Sequence, residues 1–168
     1  MLRALLDRLE IAENDVFVDI GSGMGRVVLM AARRPFARVI GIERSQELTE
    51  IARENLARGR GRLRCQDVEL LTVDALDWQV PDDVTVIYLN CPFPDEVLER
   101  VLAKLVESLD TRPRAMRLIY NFSTTQNREA VMATGRARRI ELGTPWYLRA
   151  EFREVSLYQL VPATAQKT

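Results

Sequence analysis

Histidine is absent from the 168 residues of this chain. Without an imidazole, the protein cannot use a serine or cysteine triad, a histidine general base or a histidine metal ligand. Cysteine is scarce as well, since Cys65 and Cys91 are too few for a disulfide framework and indicate a reducing cytoplasm. We therefore expect chemistry that depends neither on imidazole nor on a bound metal.

Long apolar runs and an excess of charge are missing too. No segment is apolar over the length needed to span a bilayer, and the first residues lack the pattern of a signal peptide. We expect a cytoplasmic protein with no membrane partner. The 24 Lys and Arg residues balance 24 Asp and Glu residues, so the formal net charge is zero. This balance provides no general attraction to polyanions and argues against a nucleic acid partner.

What the sequence does contain is an alternation of apolar runs and amphipathic stretches. Its length fits one domain, which we predict to span residues 1–168. The alternation is typical of βαβ units around a mostly parallel sheet. Five buried strands are predicted at 16–20, 39–42, 68–73, 84–89 and 117–122. The last two strands, 137–142 and 155–161, follow each other directly and predict an antiparallel hairpin.

Five helices are predicted from apolar residues at helical spacing. They cover about 1–10, 27–34, 45–59, 94–106 and 126–134. Pro35 should end the second helix, Ser45 should cap the third, and Pro94 should lie in the first turn of the fourth. Gly135 should end the fifth helix.

A glycine-rich turn follows the first predicted strand, in the segment Val16-Phe-Val-Asp-Ile-Gly-Ser-Gly-Met-Gly25. Glycines allow positive φ and a close approach of a ligand, and the next helix begins with free N–H groups. A dinucleotide-binding turn would have its third glycine where this chain has Arg26. The carboxylate of Asp19 would repel a diphosphate, whereas it suits a cationic amino acid group.

The pattern Asp-x-Gly-x-Gly-x-Gly of residues 19–25 resembles that of the class I S-adenosylmethionine-dependent methyltransferases at every defined position. The resemblance implies a Rossmann-like α/β fold with a seven-stranded, mostly parallel sheet and helices on both faces. The implied strand order is 3-2-1-4-5-7-6, with the last strand antiparallel, and the implied cofactor is S-adenosyl-L-methionine. The implied cofactor-binding residues are Asp19, Gly21, Ser22, Gly23, Gly25, Glu43, Asp74, Ala75 and Asn90.

Two acids downstream have expected roles at the cofactor. Glu43 ends the second predicted strand, at roughly the ~20-residue spacing expected for an acid that binds ribose hydroxyls. Asp74 follows the third strand, and the resemblance implies that it accepts a hydrogen bond from the adenine amine, with Asp77 as a competitor. In open α/β sheets the carboxyl ends of such strands border one ligand crevice.

The fourth predicted strand ends in Tyr88-Leu-Asn-Cys-Pro-Phe93. In the family, an Asn-Pro-Pro-aromatic motif at this place is typical of enzymes that methylate planar amines. Here Cys91 replaces the first proline. The resemblance implies that Asn90, Pro92 and Phe93 are catalytic: the amide oxygen accepts a hydrogen bond from the acceptor amine, and the ring stacks on the acceptor.

A second, looser resemblance is to the disruptor-of-telomeric-silencing histone lysine methyltransferases and to small bacterial relatives of unassigned substrate. It covers Val16 to Ala31, the segment that ends at Glu43, Val86 to Val97, and the tail from Trp146 through Tyr158. The eukaryotic enzymes have a separate N-terminal helical region, whereas 15 residues precede the first predicted strand here. We therefore do not expect activity on nucleosomes.

The implied acceptor is a nitrogen, either of a protein lysine or of a small-molecule amine. A neutral amine needs only alignment with the methyl group, whereas a hydroxyl usually needs a base as well. Three alternatives stay open: O-methylation of a small molecule, a non-catalytic cofactor-binding module, and an NAD-dependent oxidoreductase.

Overall fold

A computed structural model of the chain describes residues 2–90, 93–141 and 155–163. The helices are α1 (Leu2–Leu6), α2 (Arg26–Ala31), α3 (Gln46–Gly59), α4 (Asp95–Thr111) and α5 (Thr125–Ala133), and a short 3-10 turn (Arg60–Arg62) follows α3. The strands are β1 (Val16–Ile20), β2 (Arg38–Glu43), β3 (Val68–Thr72), β4 (Val84–Asn90), β5 (Met116–Asn121), β6 (Ala137–Arg139) and β7 (Val155–Leu160). No helix in the described part of the chain is long and apolar enough to cross a membrane.

The strands form one sheet in the order β3-β2-β1-β4-β5-β7-β6. The β1–β2, β2–β3 and β4–β5 pairs are parallel, whereas β7 runs antiparallel to both β5 and β6. The predicted Rossmann-like sheet, its strand order and the closing hairpin are confirmed. Contacts divide the chain into two compact units, Met1–Trp78 and Gln79–Thr168. That residues 1–168 act as a single methyltransferase domain stays a prediction.

The first unit is built on a strand whose side chains are all buried. All five residues of β1 are buried, as expected for a parallel strand covered on both faces. The ring of Phe17 packs against that of Phe36, with centroids 5.2 Å apart. Ser45 caps α3 as predicted, because its side chain accepts a hydrogen bond from the N–H of Leu48 at 3.3 Å.

The second unit packs α4 through an apolar stripe at helical spacing. The buried residues of this stripe are Leu98, Val101, Leu102, Leu105 and Leu109. Pro94 is the N-cap of α4, one residue earlier than its predicted place in the first turn. β5 lies between a parallel neighbour, β4, and an antiparallel neighbour, β7, and four of its six residues are fully buried at 0 % exposure.

The end of α2 is the clearest difference from the prediction. The helix stops at Ala31 rather than near Arg34, so Pro35 does not end it. The carbonyl of Ala32 accepts hydrogen bonds from the backbone N–H groups of Arg64 and Cys65, at 2.8 and 3.0 Å. These bonds tie the end of α2 to the segment after α3, a contact distant in sequence that local periodicity does not reveal.

Gly25, the N-cap of α2, lies close against Ala52 of α3, and alanine at position 25 should destabilise the protein. Its φ is +75°, and an added Cβ would lie 2.9 Å from the Cβ of Ala52. We expect Gly25→Ala to lower the free energy of unfolding by about 3 kcal/mol, from left-handed strain and overpacking together. Urea denaturation measures it. Gly61→Ala is the control: an added Cβ meets nothing within 4 Å, so a change within about 0.5 kcal/mol is expected. Equal losses in both variants would contradict this account.

Candidate active site

The glycine turn after β1 has the geometry of a ligand-binding loop. Gly21, Gly23 and Gly25 have φ values of +80°, +52° and +75°. The N–H groups of Gly21 and Ser22 donate to the carbonyl of Ile42, at 2.8 and 2.9 Å, and thereby join the turn to β2. A Cβ added to Gly23 would meet nothing within 4 Å, so the backbone there borders open space.

Glu43 connects three parts of the first unit. One carboxylate oxygen, Oε2, accepts a hydrogen bond from the N–H of Gly23 at 3.0 Å. The other, Oε1, accepts from the N–H of Ser45 at 2.9 Å, at the start of α3. Its backbone carbonyl accepts from the N–H of Val73 at 3.0 Å, just after β3. Each carboxylate oxygen keeps capacity for a second hydrogen bond. Sequence reasoning gave Glu43 only a ligand-binding role and missed its bond to the glycine turn.

Asp19 is a buried carboxylate without a full set of partners. Only 2 % of its surface is exposed, and its Oδ2 has no hydrogen-bond partner among the described residues. Burial, with added repulsion from the nearby Glu43 carboxylate, raises the pKa of Asp19 from 3.8 to about 8. A buried polar atom without a partner costs stability, so such atoms are often found where a ligand binds.

Asp74 lies in a tight turn just after β3. Its Oδ1 accepts a hydrogen bond from the N–H of Leu76 at 2.9 Å, and its backbone carbonyl accepts from the N–H groups of Asp77 and Trp78 at 3.0 Å. Asp74 and Ala75 are half-buried, whereas the side chain of the competing Asp77 is exposed. The turn therefore presents Asp74 in a fixed conformation.

The three acids lie at or just beyond the carboxyl ends of three neighbouring parallel strands of the first unit. In the register, Ile20 is paired with Ile42, and Glu43 is paired with Thr72, so the carboxyl ends of β1, β2 and β3 lie at one edge. The predicted cofactor-binding residues of the first unit lie in β1, at the end of β2 and in the segments that follow β1 and β3. They are Asp19, Gly21, Ser22, Gly23, Gly25, Glu43, Asp74 and Ala75. An unpaired buried carboxylate beside an open glycine turn fits a ligand with a cationic amino acid group.

Asn90 is the last residue of β4, in the second unit, and its side chain is exposed. Its Oδ1 accepts a hydrogen bond from Nδ2 of Asn121 at 2.6 Å, and the two residues are partners in the β4–β5 register. Phe93 is half-buried. Asn121 was not predicted, although its signal is visible in the sequence as an asparagine ending the next strand.

Several predicted residues cannot be placed, because Cys91, Pro92, Trp146 and Tyr147 lie outside the described residues. Within the described ranges, no three cysteine, aspartate or glutamate side chains are grouped so that they could hold a metal ion.

Residues 17–112 match the family model described as methyltransferase domain. The chain belongs to this family. The match covers more than half of the chain and includes the glycine turn, Glu43, Asp74 and Asn90. Methyltransferases of this family use S-adenosylmethionine, and membership of it sets aside the dinucleotide-dependent oxidoreductase alternative.

Two curated relatives are similar over part of the methyltransferase. A probable ribosomal RNA small subunit methyltransferase A of Methanopyrus kandleri is 26% identical over 107 residues, which are 64% of this chain and 35% of that protein. A tRNA1(Val) (adenine(37)-N6)-methyltransferase of Bacteroides thetaiotaomicron is 35% identical over 101 residues, which are 55% of this chain and 40% of that protein. The methyltransferase thus matches less than half the length of either relative.

A solved structure is similar over nearly the whole methyltransferase. It is an RNA methyltransferase from Salinibacter ruber in complex with S-adenosyl-L-homocysteine, with a TM-score of 0.65 and 22% sequence identity. The similarity covers 96% of this chain and 90% of that one. At this identity the likeness shows a shared fold.

The raised pKa of Asp19 makes the stability of the unliganded methyltransferase depend on pH. Between pH 3.8 and about 8 the folded protein keeps a proton on Asp19 that the unfolded chain releases. The contribution of Asp19 to the free energy of unfolding should therefore be greatest below this window and be lost as the pH rises through it. Asp19→Asn has no carboxyl group to titrate and should lose this part of the slope. Denaturation at a series of pH values measures both proteins, and parallel curves would show that Asp19 is not the cause.

Proposed function

We propose that the methyltransferase transfers a methyl group to a nitrogen acceptor. The observation that carries this proposal is the exposed amide of Asn90 at the end of β4, inside the sequence Asn-x-Pro-Phe. Its Oδ1 is fixed by Asn121 and keeps a second lone pair, which can accept a hydrogen bond from an amine.

In this proposal the first unit binds the cofactor. Asp19 pairs with the ammonium of the amino acid end, which supplies a partner to its buried oxygen. The turn from Gly21 to Gly25 lies against the same end, since Gly23 borders open space. The free acceptor capacity of Glu43 takes the ribose hydroxyls, and Asp74 takes the adenine amine.

The cofactor, when bound, supplies a methyl group made electrophilic by its sulfonium. Such a transfer is an in-line displacement, so the protein contributes chiefly by positioning the nucleophile and by excluding water. Asn90 holds the acceptor by one N–H and so leaves the nitrogen lone pair to attack. The nitrogen would gain the methyl group as the sulfonium–methyl bond breaks, with S-adenosylhomocysteine as the leaving group, and would then release one proton to water. A hydroxyl acceptor would need a base to remove its proton, and this chain has no histidine for that role.

The nitrogen acceptor could belong to more than one class of substrate. The resemblance to lysine methyltransferases favours a protein lysine or a small amine, whereas both curated relatives are named for RNA substrates, one of them for an adenine amine. The zero net charge describes the whole chain and does not exclude a local RNA contact. RNA therefore joins protein and small-molecule amines as a candidate acceptor class.

A labelled-methyl assay tests the proposal. The purified methyltransferase is incubated with labelled S-adenosylmethionine and a cell extract, which is then separated into protein, RNA and small-molecule fractions. Each labelled product is hydrolysed and analysed by mass spectrometry. We expect label on nitrogen. Label found solely on oxygen would contradict the proposal.

The roles of Asp19 and Asn90 should separate in binding and transfer. We expect Asp19→Ala to lose S-adenosylmethionine binding by about 100-fold or more, because a buried charge pair is lost. We expect Asn90→Ala to leave cofactor binding largely intact, while transfer falls by about 100-fold because the acceptor is no longer aligned. Isothermal titration calorimetry and the labelled-methyl assay measure the two effects.

Gln79→Ala is the control for Asn90→Ala, because it also removes an exposed amide of the second unit. It should change neither binding nor transfer. Equal losses of cofactor binding in Asp19→Ala and Asn90→Ala would show that this division of roles is wrong.

A further inference from the structure

Phe122 is a strained and exposed aromatic residue directly after β5. Its φ is +54°, and within the described ranges it is the only residue other than glycine with a positive φ. Aromatic side chains rarely adopt this conformation, because the Cβ crowds the backbone. Half of the side chain, 50%, is nevertheless exposed. Neither packing nor backbone preference explains a phenylalanine at this position.

The residues on both sides of Phe122 hold it in this conformation. Before it, Asn121 is buried in β5 and bonded to Asn90. After it, the hydroxyls of Ser123 and Ser156 are 3.0 Å apart and buried. Strain of this kind persists where the surroundings fix it, and it is concentrated at functional sites.

Hydrogen bonds also fix Ser123 and Thr124, the two residues that follow Phe122. The carbonyl of Ser123 accepts a hydrogen bond from the Arg128 guanidinium at 2.6 Å. Thr124 forms a capping box with Asn127 at the start of α5, with both bonds at 3.1 Å. The backbone is thus fixed on each side of Phe122, so the ring stays at the surface.

Asn121, which precedes Phe122, and Asn90, its partner in the β4–β5 register, offer hydrogen bonds to a ligand. Asn121 is 3 % exposed, and its Oδ1 has no partner among the residues described. The amide of Asn90 is exposed, so its Nδ2 can donate to a ligand, and its Oδ1, which accepts one hydrogen bond from Asn121, keeps a second lone pair. A primary amide that offers one donor and one acceptor matches the amine and ring nitrogen of adenine or cytosine.

We propose that Phe122 is a stacking surface for the acceptor and that the acceptor is an unpaired nucleobase with an exocyclic amine. Asn90 holds the edge of the base, and Asn121 is a positioning residue that orients the Asn90 amide. The inference rests on the proposed nitrogen acceptor and narrows it to one chemical class. Aromatic stacking combined with hydrogen bonds to base edges is how proteins recognise single-stranded bases.

The charge state of the acceptor supports a nucleobase over a lysine. A lysine amine has a pKa near ~10.4 and is protonated at neutral pH, so it needs a base before it can attack. An exocyclic base amine is already neutral. Asn90, Asn121 and Phe122 are also neutral, and they provide a flat face and an edge that an aliphatic amine cannot use.

The first test measures stacking as a difference in affinity between two short fluorescein-labelled oligonucleotides. One has a single adenine and is otherwise abasic, and the other is fully abasic. Both are bound in the presence of S-adenosylhomocysteine. Both probes have the same phosphates, so the difference in affinity reports the base. We expect the wild type to prefer the adenine probe by about tenfold or more, from the usual strength of base stacking. Phe122→Gly should lose this preference and Phe122→Tyr should keep it.

The unfolding temperature of Phe122→Gly shows whether the variant has lost only the ring or has also lost its fold. Glycine adopts a φ of +54° without strain, so Phe122→Gly should unfold at the same or a higher temperature than the wild type. Met132→Ala is the matched control, because it removes a side chain that is 48% exposed on α5. It should leave the adenine preference unchanged. A Phe122→Gly protein that still prefers the adenine probe would overturn the proposal.

The positioning role of Asn121 is tested by the ratio of affinities for two bases rather than by the affinity for one. Asn121→Asp keeps the shape of the side chain and removes the N–H that Asn90 accepts. The wild type should bind the adenine probe about tenfold more tightly than a probe with purine, which has no exocyclic amine. Asn121→Asp should lose this ratio and still bind S-adenosylhomocysteine. An unchanged ratio would overturn the role given to Asn121.

The failure of this inference differs from a failure of the proposed function. If the wild type shows no preference for the base yet methylates nitrogen in protein or in small amines, the nucleobase inference is wrong and the nitrogen acceptor stands. If the labelled product is methylated on oxygen alone, both are wrong.

Discussion

The carboxylate of Glu43 is the interaction on which the glycine turn at the carboxyl edge of β1, β2 and β3 depends. Its two oxygens bind the N–H groups of Gly23 and Ser45, so one side chain fixes the glycine turn and the start of α3 together. Each bond is charge-assisted and therefore stronger than a neutral hydrogen bond. The turn has three left-handed glycines and a backbone that borders open space, so it needs such a fixed point to keep one conformation.

Asp19 is costly to the folded protein chiefly because it is buried, and the Glu43 carboxylate adds repulsion to that cost. Asp19 is buried, has an oxygen without a partner in the described structure, and is repelled by Glu43. Without a cation nearby, the protein can keep this group only by protonating it near neutral pH. A ligand that carries an ammonium relieves both the burial of the charge and the repulsion. A cationic ligand that pairs with Asp19 removes this cost, so its binding is strengthened by the same free energy. In our proposal that ligand is S-adenosylmethionine, whose amino acid end carries the ammonium.

Local sequence predicted most of the fold because its signals act over a few residues. The apolar run of β1 and the cap at Ser45 belong to this kind, and the methyltransferase resemblance supplied the strand order. The early end of α2 could not be predicted, because it depends on backbone bonds from Arg64 and Cys65 to Ala32. Phe122 was missed for a related reason: a left-handed phenylalanine follows from the bonds of its neighbours, and no propensity predicts it.

The sequence drew attention to the charged residues of the candidate site more readily than to the neutral ones, and the roles of both stay predictions. Acids such as Asp19 and Glu43 stand out at strand ends, because burying a charge needs a reason. Neutral amides and rings are common in any core and surface, so Asn121 became visible only through its bond to Asn90.

This contrast also divides the chemistry. The carboxylates of the first unit suit a cationic cofactor, whereas in our proposal the amides and the ring of the second unit select an acceptor by shape and hydrogen bonding. Such an acceptor must already be a neutral nucleophile, because none of the groups that select it can remove a proton. That requirement, together with the absence of histidine, favours an aromatic amine over a hydroxyl or a protonated lysine.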